Sequence, residues 1–330
     1  MTRLTSEARR RGRACGALAK YAALVAIIAL SSCGSTSKAP APQSRAEIRE
    51  AAFMDTLQAR TFRWFWELSD PRTGLTPDRA PTRSFVSVAA TGFALTAYPI
   101  GAERGWTTRA AARGRVLATL RFFWSARQDT ARAGATGYRG FFYHFLEPET
   151  GARFRDVELS TVDTALFVAG ALFCQSYFDR ADPEEAAVRA LAESLYARVD
   201  WKWAQTRPPL IGHGWNPESG PLPYDWGGYN EAMLLYVLAL GAPAHAVEPA
   251  AWDAWTARYR WGTFHGQEHL GFAPLFGHQY SHGWIDFRGI QDEHMGSITS
   301  RIRAARRWRN ARTRSKTHSN GPATANACGA

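Results

Sequence analysis

The sequence predicts an all-α fold. Apolar residues recur at helical spacing in several segments of roughly 15–20 residues, and no segment shows the sustained alternation of a strand or the spacing of βαβ units. The segments between them are rich in Gly, Pro, Trp and His, and they are alternately short and long. Helices joined in this way fit an α/α toroid, whose long loops gather at one face and form a cleft. The pattern alone also fits a less regular all-α protein with functional loops.

Seven helices are predicted in chain order. The first ends at Asp70-Pro71, because the residue before a proline avoids the helical conformation. Thr107 or Thr108 is the expected N-cap of the third helix, and Asp182-Pro183 supplies the N-cap and first residue of the fifth. The fourth is apolar enough to be buried on most sides. The predicted helices cover residues 45–69, 85–99, 107–127, 160–179, 183 to about 203, 228–240 and 249–259.

Composition and charge exclude two classes of protein. The chain has 330 residues, a hydrophobic content of 45% and only 4 Cys, which excludes a disulfide scaffold. Its formal net charge of +11 resides at the two ends, since residues 1–33 carry +5, residues 297–330 carry +8 and residues 34–296 carry −2. A nucleic-acid-binding protein needs a basic surface on the folded body, so we expect no nucleic-acid partner.

The N-terminus has the features of a bacterial export signal. A basic stretch precedes ten apolar residues at 21–30, too few to cross a bilayer and typical of a signal peptide. Small residues before Cys33 resemble a lipobox, so we expect signal peptide 1–33, lipidation of Cys33 and a tether at 34–45. Because Gly34 follows the cysteine, we favour an outer-membrane lipoprotein facing the periplasm. The alternative is an ordinary cleaved signal. Cys174, in an apolar run, is expected to be a buried thiol.

Five segments carry a family resemblance. They are TGFALTAYPIGAERGW (91–106), GFFYHFL (140–146), ELSTVDTALFVAGAL (158–172), YDWGGYNEAMLLYVLALG (224–241) and PLFGHQYSHGWIDFRGI (274–290). In this order they resemble the bacterial glycoamylase-like family over roughly residues 46–291. The resemblance implies a six-fold α/α toroid and hydrolysis of a glucan, in particular β-1,2-glucan with α-glucan as the alternative. It implies no cofactor and no metal.

The resemblance stops after about Gln291. Residues 297–330 are basic and match an out-of-frame reading of a family-like segment, so we interpret them as a frameshift product. The alternative is a genuine basic tail. With residues 46–296 as its folded part, the chain is expected to be an incomplete (α/α)6 toroid with an apolar open edge. Inspection of the gene near codons 292–295 tests this interpretation.

Three acidic residues are the catalytic candidates. Glycoside hydrolysis commonly needs one carboxylic acid and one carboxylate; Glu231, Glu158 and Asp163 lie in the resembling segments, at predicted helix starts. We expect Glu231 to be the general acid and Glu158 or Asp163 the base, with inversion implied by the resemblance. Capping of a helix is the alternative role, although Asp163 is predicted to lie five residues into its helix.

Aromatic, amide and imidazole side chains around these acids are the expected substrate ligands. Sugar rings stack on aromatic planes, and polar side chains bind their hydroxyl groups. Packing in the core is the alternative for each aromatic residue, and ion pairing, for example with Arg288, is the alternative for the two aspartates. The candidates are Trp215, Asp225, Trp226, Tyr229, Asn230, His278, Gln279, Tyr280, His282, Trp284 and Asp286.

Two histidine patterns are judged not to be metal sites. Residues 265–269 fit H-x-x-E-H, which binds zinc only on a helix, and glycines lie in and around them. His278 and His282 lie in a loop-like stretch. We therefore expect a monomeric glycoside hydrolase that meets the membrane only through its lipid. The alternatives are a non-catalytic glycan-binding lipoprotein and an inactive frameshifted product.

Overall fold

The computed structural model describes residues 44–264, 266–288, 290–292 and 296–297. The chain divides into two compact units, Met1–Asp55 and Thr56–Ala330. The described part of the first unit is the beginning of one helix, and the second unit contains the remaining described elements. The signal peptide, most of the tether and the tail after Ser297 lie outside the described residues, so the predictions for Cys33 and for residues 298–330 stay predictions.

All seven predicted helices are present. The fifth ends at Ala197, about six residues earlier than predicted, because residues 198–204 turn back toward the strands. The sixth begins at Met233 and not at Gly228, because Asn230 caps the chain at Ala232. The helices are α1 Arg45–Leu68, α2 Val88–Glu103, α3 Arg109–Ser125, α4 Thr161–Tyr177, α5 Pro183–Ala197, α6 Met233–Leu240 and α7 Ala250–Thr256.

The helices of the second unit form two concentric rows. Helix α2 packs against α4 and α4 against α6, while α3 packs against α5 on the outside. Each inner helix also contacts the outer helix that follows it, α2 with α3 and α4 with α5. Alternation of inner and outer helices is the arrangement of an α/α toroid, and the described residues contain part of its ring.

Charge distribution in the sequence explains which helices lie inside. Helices α2 and α4 contain one ionisable acid each, and α6 contains none, whereas α3 carries four arginines. Close packing of the inner helices depends on glycine: a Cβ on Gly92 would lie 2.4 Å from the carbonyl oxygen of Leu166, and one on Gly170 would lie 2.2 Å from that of Gly92. Two backbones can approach this closely only where no side chain intervenes.

Side chains cap four of the helices, two of them at the predicted residues Thr108 and Asp182. The hydroxyls of Ser87, Thr108 and Ser160 accept the backbone N–H three residues further on, at the starts of α2, α3 and α4. The carboxylate of Asp182 accepts two N–H groups at the start of α5, whose first residue is Pro183. These contacts satisfy donors that the first helical turn leaves free.

Short strands, which the sequence analysis did not predict, occupy the long loops. An antiparallel five-stranded sheet has the order β2-β3-β5-β6-β7, and smaller pairs join β1 to β4, β8 to β9 and β10 to β11. Most strands have two or three residues, too few to show an alternating pattern. They are β1 Val86–Ser87, β2 Gly137–Tyr138, β3 Phe141–Tyr143, β4 Phe145–Leu146, β5 Leu159–Ser160, β6 Gly214–Asn216, β7 Gly220–Pro221, β8 Trp261–Phe264, β9 Gln267–Leu270, β10 Gln291–Asp292 and β11 Gly296–Ser297.

The core is aromatic and continuous through the second unit. Trp201, Trp255, Tyr98 and Tyr236 are fully buried, and Cys174 is a buried free thiol as predicted. Burial raises the pKa of that thiol far above its usual value, so it is inert. An apolar groove of about 370 Å³ opens between α4 and α6. None of the described helices has the length and apolar character needed to cross a membrane.

Candidate active site

Strand register brings two of the predicted acids to one histidine. Strand β3 pairs with β5 so that Tyr143 lies opposite Leu159, and the next residues along, His144 and Glu158, face each other. His144 Nδ1 lies 2.8 Å from Glu158 Oε1, and His144 Nε2 lies 3.7 Å from Asp163 Oδ2. One imidazole therefore bridges Glu158 and Asp163 at the N-terminal end of α4.

Asp163 is the third residue of α4, not five residues into the helix as the sequence analysis had it. Its backbone N–H donates to the Ser160 hydroxyl, and that hydroxyl donates to its carboxylate. Ser160 is therefore the N-cap of α4, and the Asp163 carboxylate accepts a hydrogen bond from the capping hydroxyl. The helix begins at Thr161, one residue after the predicted start at 160, because Leu159 and Ser160 form strand β5.

The environments of Glu158 and His144 favour an ion pair. Burial opposes ionisation of Glu158, but the hydrogen bond and charge of His144 outweigh it and hold the pKa of Glu158 below its usual value. Burial likewise opposes protonation of His144, yet Glu158 and Asp163 together raise the pKa of the imidazole. Glu158 thus stays ionised and His144 is the cation that stabilises it.

Glu231 and Asp163 experience the opposite effect. Complete burial raises the pKa of Asp163 despite His144 and Ser160. Burial also raises the pKa of Glu231, and the nearby charge of Asp163 raises it further. Glu231 Oε2 is buried, and no hydrogen bond from the described residues reaches it. The backbone N–H of Glu231 itself opposes this shift, but burial outweighs it, so the site favours the protonated acid.

Glu231 lies just before α6, which begins two residues later. The side chain of Asn230, a predicted sugar ligand, accepts the N–H of Ala232 and so fixes this turn. Tyr280 lies near enough that the charges of Glu231 and Asp163 help to raise the pKa of its phenol, after burial. The N-terminal ends of the inner helices α4 and α6 therefore carry the three predicted acids and one predicted aromatic ligand.

Trp226 contacts the first residue of α4. Its indole N–H donates to the Thr161 hydroxyl at 3.0 Å, which ties the loop before α6 to the first residue of α4. Its ring stacks on His213, with centroids 3.8 Å apart and planes 15° apart. Burial lowers the pKa of His213, although the charges of Asp225 and Glu158 oppose the change. A neutral imidazole beside a tryptophan suits the binding of a sugar hydroxyl.

The other predicted aromatic residues are half-buried or buried in ring clusters. Tyr229 is 5% exposed, and the centre of its ring lies 5.1 Å from that of His278. For both residues the structure therefore shows the alternative role, packing in the core. Tyr280 and Trp284 both contact Phe93 of α2 at 5.0 Å. The Trp284 indole N–H also donates to Thr96.

Trp215, on strand β6, belongs to a different ring group. It lies 5.4 Å from Tyr138 and 6.0 Å from Trp203. The ring is half-buried against the sheet, while the residue before it, Gly214, passes directly beneath Glu158: a Cβ there would lie 3.2 Å from Glu158 Cγ. Trp215 therefore follows a residue that contacts Glu158, but its own ring packs with Tyr138 and Trp203.

The two predicted aspartate ligands form ion pairs. Arg207 donates to both carboxylate oxygens of Asp225 at 2.8 Å. Asp286 pairs with Arg288, which the sequence analysis named as its alternative partner. Asp286 is exposed, and so is Gln279. The ion-pair interpretation therefore describes both aspartates.

The described histidines of the two patterns considered as metal sites lie in a hairpin and in the segment that follows it. Glu268 and His269 lie on strand β9 of the β8–β9 hairpin, where neighbouring side chains point to opposite faces. His278 bonds to the carbonyl of Phe272 at 3.0 Å, and the His282 ring packs 4.8 Å from that of Phe287. His265 lies outside the described residues. Among the residues described, no group of three His, Cys, Asp or Glu side chains has an arrangement that could hold a metal ion.

Sequence reasoning missed His144 and His213. Both lie beside strand ends in the long loops, and both contact predicted site residues. The segment GFFYHFL carries His144 and was recognised as part of the resemblance, but its short strand gave no periodicity that would direct the imidazole toward Glu158. The pairing of β3 with β5 supplies that information.

The inner and outer rows of helices define a partial (α/α)6 toroid. The predicted acids lie at the N-terminal ends of its inner helices and form a carboxylate site. The family model "Putative glucoamylase" matches residues 223–320, which extends beyond Gln291, where the sequence analysis ended the resemblance. A curated relative, the exo-β-1,2-glucooligosaccharide sophorohydrolase (non-reducing end) of Parabacteroides distasonis, is 26% identical over 276 residues. These matches confirm the resemblance to the bacterial glycoamylase-like family.

Solved structures agree on the fold. A Bacteroides fragilis protein of the same glucoamylase description superposes with a TM-score of 0.67 at 26% identity, covering 82% of this chain and 66% of that one. The endo-β-1,2-glucanase of Chitinophaga pinensis, solved with sophorotriose and glucose, gives 0.63 at 22% identity, covering 74% and 62%. The incomplete-toroid prediction is therefore confirmed.

The chain is shorter than the proteins it matches. The alignment with the sophorohydrolase covers 73% of this chain but only 37% of that protein. The two solved structures are matched over no more than two thirds of their own length.

Proposed function

We propose that this protein is a glycoside hydrolase that cleaves β-1,2-linked glucan. The observation that carries the proposal is the opposed environment of two carboxyls in one region. The pKa of Glu231 is raised by burial, and that of Glu158 is lowered by His144. Two carboxyls with separated pKa values are what acid–base hydrolysis of a glycosidic bond needs.

Glu231 is the general acid in this mechanism. At neutral pH the group must hold a proton that it can give to the leaving oxygen, and burial, which raises the pKa of Glu231, favours that form. The nearby N-terminus of α6 opposes the shift, but helical residues begin only at Met233.

Glu158 is the base that activates water. Of the two candidates left open by the sequence, it is favoured over Asp163, because burial raises the pKa of Asp163. Asp163 instead holds the hydroxyl of the Ser160 cap and lies beside His144. His144 fixes the orientation of Glu158 and favours its ionised form.

We propose inversion at the anomeric carbon. Inverting enzymes keep their two carboxyls about 6.5–9.5 Å apart, so that a water molecule fits between base and sugar, whereas retaining enzymes keep them about 5–5.5 Å apart. Proton NMR of the first product formed tests this step. An α-anomer from a β-linked glucan supports inversion, and a β-anomer contradicts it.

The activity test compares substrates. Purified protein is incubated with linear β-1,2-glucan, β-1,3-glucan and starch, and reducing ends are measured over time. Release from β-1,2-glucan at a rate at least about a hundredfold above the other two supports the proposal. Release from starch alone would favour the α-glucan alternative. Tight binding of β-1,2-glucan without product would favour a glycan-binding lipoprotein.

We also propose that the protein is anchored by lipid at Cys33 and faces the periplasm. Support comes from the sequence alone: a basic stretch, ten apolar residues and small residues before Cys33. Labelled fatty acid supplied to a bacterial host should enter the protein, and Cys33→Ala should abolish the label. Equal labelling of the variant would end this proposal.

A further inference from the structure

A second cavity adjoins the acid cluster and has no role in the mechanism above. Its volume is about 540 Å³, within the range of about 300–1,000 Å³ typical of ligand sites. The loop before β1 and the loop after β4 form its walls. They contribute three arginines, two glutamates and two phenylalanines: Arg79, Arg83, Arg155, Glu147, Glu149, Phe85 and Phe154.

A stack of rings connects this cavity to His144. Phe85 in the cavity wall lies 4.0 Å from Phe145, and Phe145 stacks on His144 at 3.8 Å. His144 in turn bonds to Glu158. Phe145 therefore lies between the cavity wall and His144 of the acid cluster. At this separation a long ligand bound at the acids could extend to the cavity.

The cavity wall combines aromatic rings with guanidinium groups lying over them. The Arg79 guanidinium is 5.4 Å from the centre of the Phe85 ring, and that of Arg155 is 4.9 Å from the centre of the Phe154 ring. An arginine whose charge lies over a ring is held in place by that contact and keeps N–H groups for a ligand. Such a surface offers an apolar plane and forked donors side by side, which suits a sugar ring with neighbouring hydroxyls.

The charges of this wall are largely compensated. Arg83 forms an ion pair with Glu149, and Arg79 with Asp78. Among the described residues no carboxylate pairs with Arg155. Balanced charge favours a neutral polyhydroxylated ligand over a phosphate or other anion.

Arg155 has an unusual backbone conformation. Its φ is 49°, in the left-handed region that residues other than glycine, asparagine and aspartate seldom adopt. Such a conformation persists where surrounding structure enforces it and is frequent at binding sites. Here it directs the side chain over Phe154.

We propose that this cavity is a distal subsite that binds a glucosyl unit of a glucan chain whose cleaved bond lies at Glu231 and Glu158. The proposal deepens the proposed function and rests on it for the position of the chain. A long glucan spans both places, whereas a disaccharide occupies only the acid cluster. Arg155 and Arg79 then contribute to the affinity for long chains and not to the chemical step.

The test measures binding and turnover as a function of chain length. Arg155→Asn tolerates the left-handed backbone, and Arg79→Gln is a second, independent variant. Arg121→Ala, an exposed arginine on α3, is the matched control. Each is made in the full chain, and again together with Glu231→Gln so that calorimetry can be done without hydrolysis.

Both cavity variants should weaken binding of a long linear β-1,2-glucan by about tenfold, the effect of losing one charged hydrogen bond, and leave sophorose binding unchanged. In the active chain, KM for the long glucan should rise with kcat constant. A loss equal for both ligands, or no loss in either variant, would overturn the subsite. If the chain hydrolyses nothing yet binding falls in this length-dependent way, the hydrolase proposal fails and the subsite stands.

Discussion

His144 Nδ1 lies 2.8 Å from Glu158 Oε1, and the opposite nitrogen of the same ring lies 3.7 Å from Asp163. The contact follows from the antiparallel pairing of β3 with β5, which continues by one residue beyond each strand. The imidazole thereby favours the ionised form of Glu158, and the same ring also lies beside the buried carboxyl of Asp163. The electrostatics of the proposed base depend on this ring.

Replacing the bridging histidine should change the pH profile of catalysis. In His144→Asn the carboxylate loses its cationic partner, so the pKa of Glu158 rises, since His144 is what lowers it in the native protein. The acidic limb of kcat/KM should therefore move to higher pH, with a loss on the order of tenfold on that limb. Steady-state rates on β-1,2-glucan between pH 4 and 9 provide the measurement.

His245→Asn is the control for this change. His245 is half-exposed and has a φ of 55°, which asparagine accepts readily. Its profile should match that of the native protein. An unshifted acidic limb in His144→Asn, with both proteins folded, would show that Glu158 does not depend on the imidazole.

A buried ion pair joins the outer helices. Arg109 of α3 donates to both oxygens of Glu185, at 2.8 and 2.9 Å, and Glu185 is 1% exposed. Glu185→Gln leaves the guanidinium only the exposed carboxylate of Asp179 as a charge partner, at 3.3 Å, and should lower the free energy of unfolding by about 3 kcal/mol. Urea denaturation monitored by tryptophan fluorescence measures the change.

The contribution of this ion pair to the free energy of unfolding should depend on pH in the acid range. Arg109 lowers the pKa of Glu185 to about 2, below its unfolded value of 4.5. A lowered folded pKa means that the stabilisation is fully present above pH 4.5 and is lost as pH falls through about 2. The stability difference between native protein and Glu185→Gln should shrink over that window, and a constant difference would contradict the pairing.

Glycine at the inner helix contact should be irreplaceable. A methyl group on Gly92 would lie 2.4 Å from the Leu166 carbonyl oxygen, so Gly92→Ala must separate α2 from α4 and should cost about 1–3 kcal/mol or more. Gly114→Ala on α3 is the matched control, because a methyl group there would have no atom of another residue within 4 Å beyond its own helical turn. That change should stabilise by about 0.5–1 kcal/mol. Equal melting temperatures for the two variants would contradict the close approach.

Burial of Glu231 should reduce stability at neutral pH. Its raised folded pKa means that stability is lost as pH rises, because the folded site disfavours the carboxylate. Glu231→Gln removes that penalty and should raise Tm at pH 7–8 by roughly 1–3 °C, with the difference vanishing below pH 4.5. A variant less stable than the native protein at pH 8 would show that the carboxylate is well accommodated.

The sequence predicted the helices well and the loops poorly. Helix α5 was recognisable from Asp182 and Pro183, whose roles as cap and first residue depend only on local chemistry. The acids Glu158 and Glu231 were recognised because they lie in resembling segments. The contacts of His144 and His213 could not be inferred, because strands of two or three residues carry no periodicity and their pairing joins residues about 16 to 56 positions apart. Ion pairing was foreseen as the alternative for Asp225, but its partner Arg207 was not identified.

The central claim is that Glu231 donates the proton that cleaves a glucan, and turnover of Glu231→Gln tests it most directly. The amide keeps the shape of the side chain and cannot act as the acid, so kcat on β-1,2-glucan should fall by at least roughly a hundredfold while calorimetric affinity for the glucan stays within about twofold. Glu67→Gln, an exposed glutamate on α1, should be unchanged. Near-native turnover by Glu231→Gln would contradict the account and make Glu158 the first candidate for the acid.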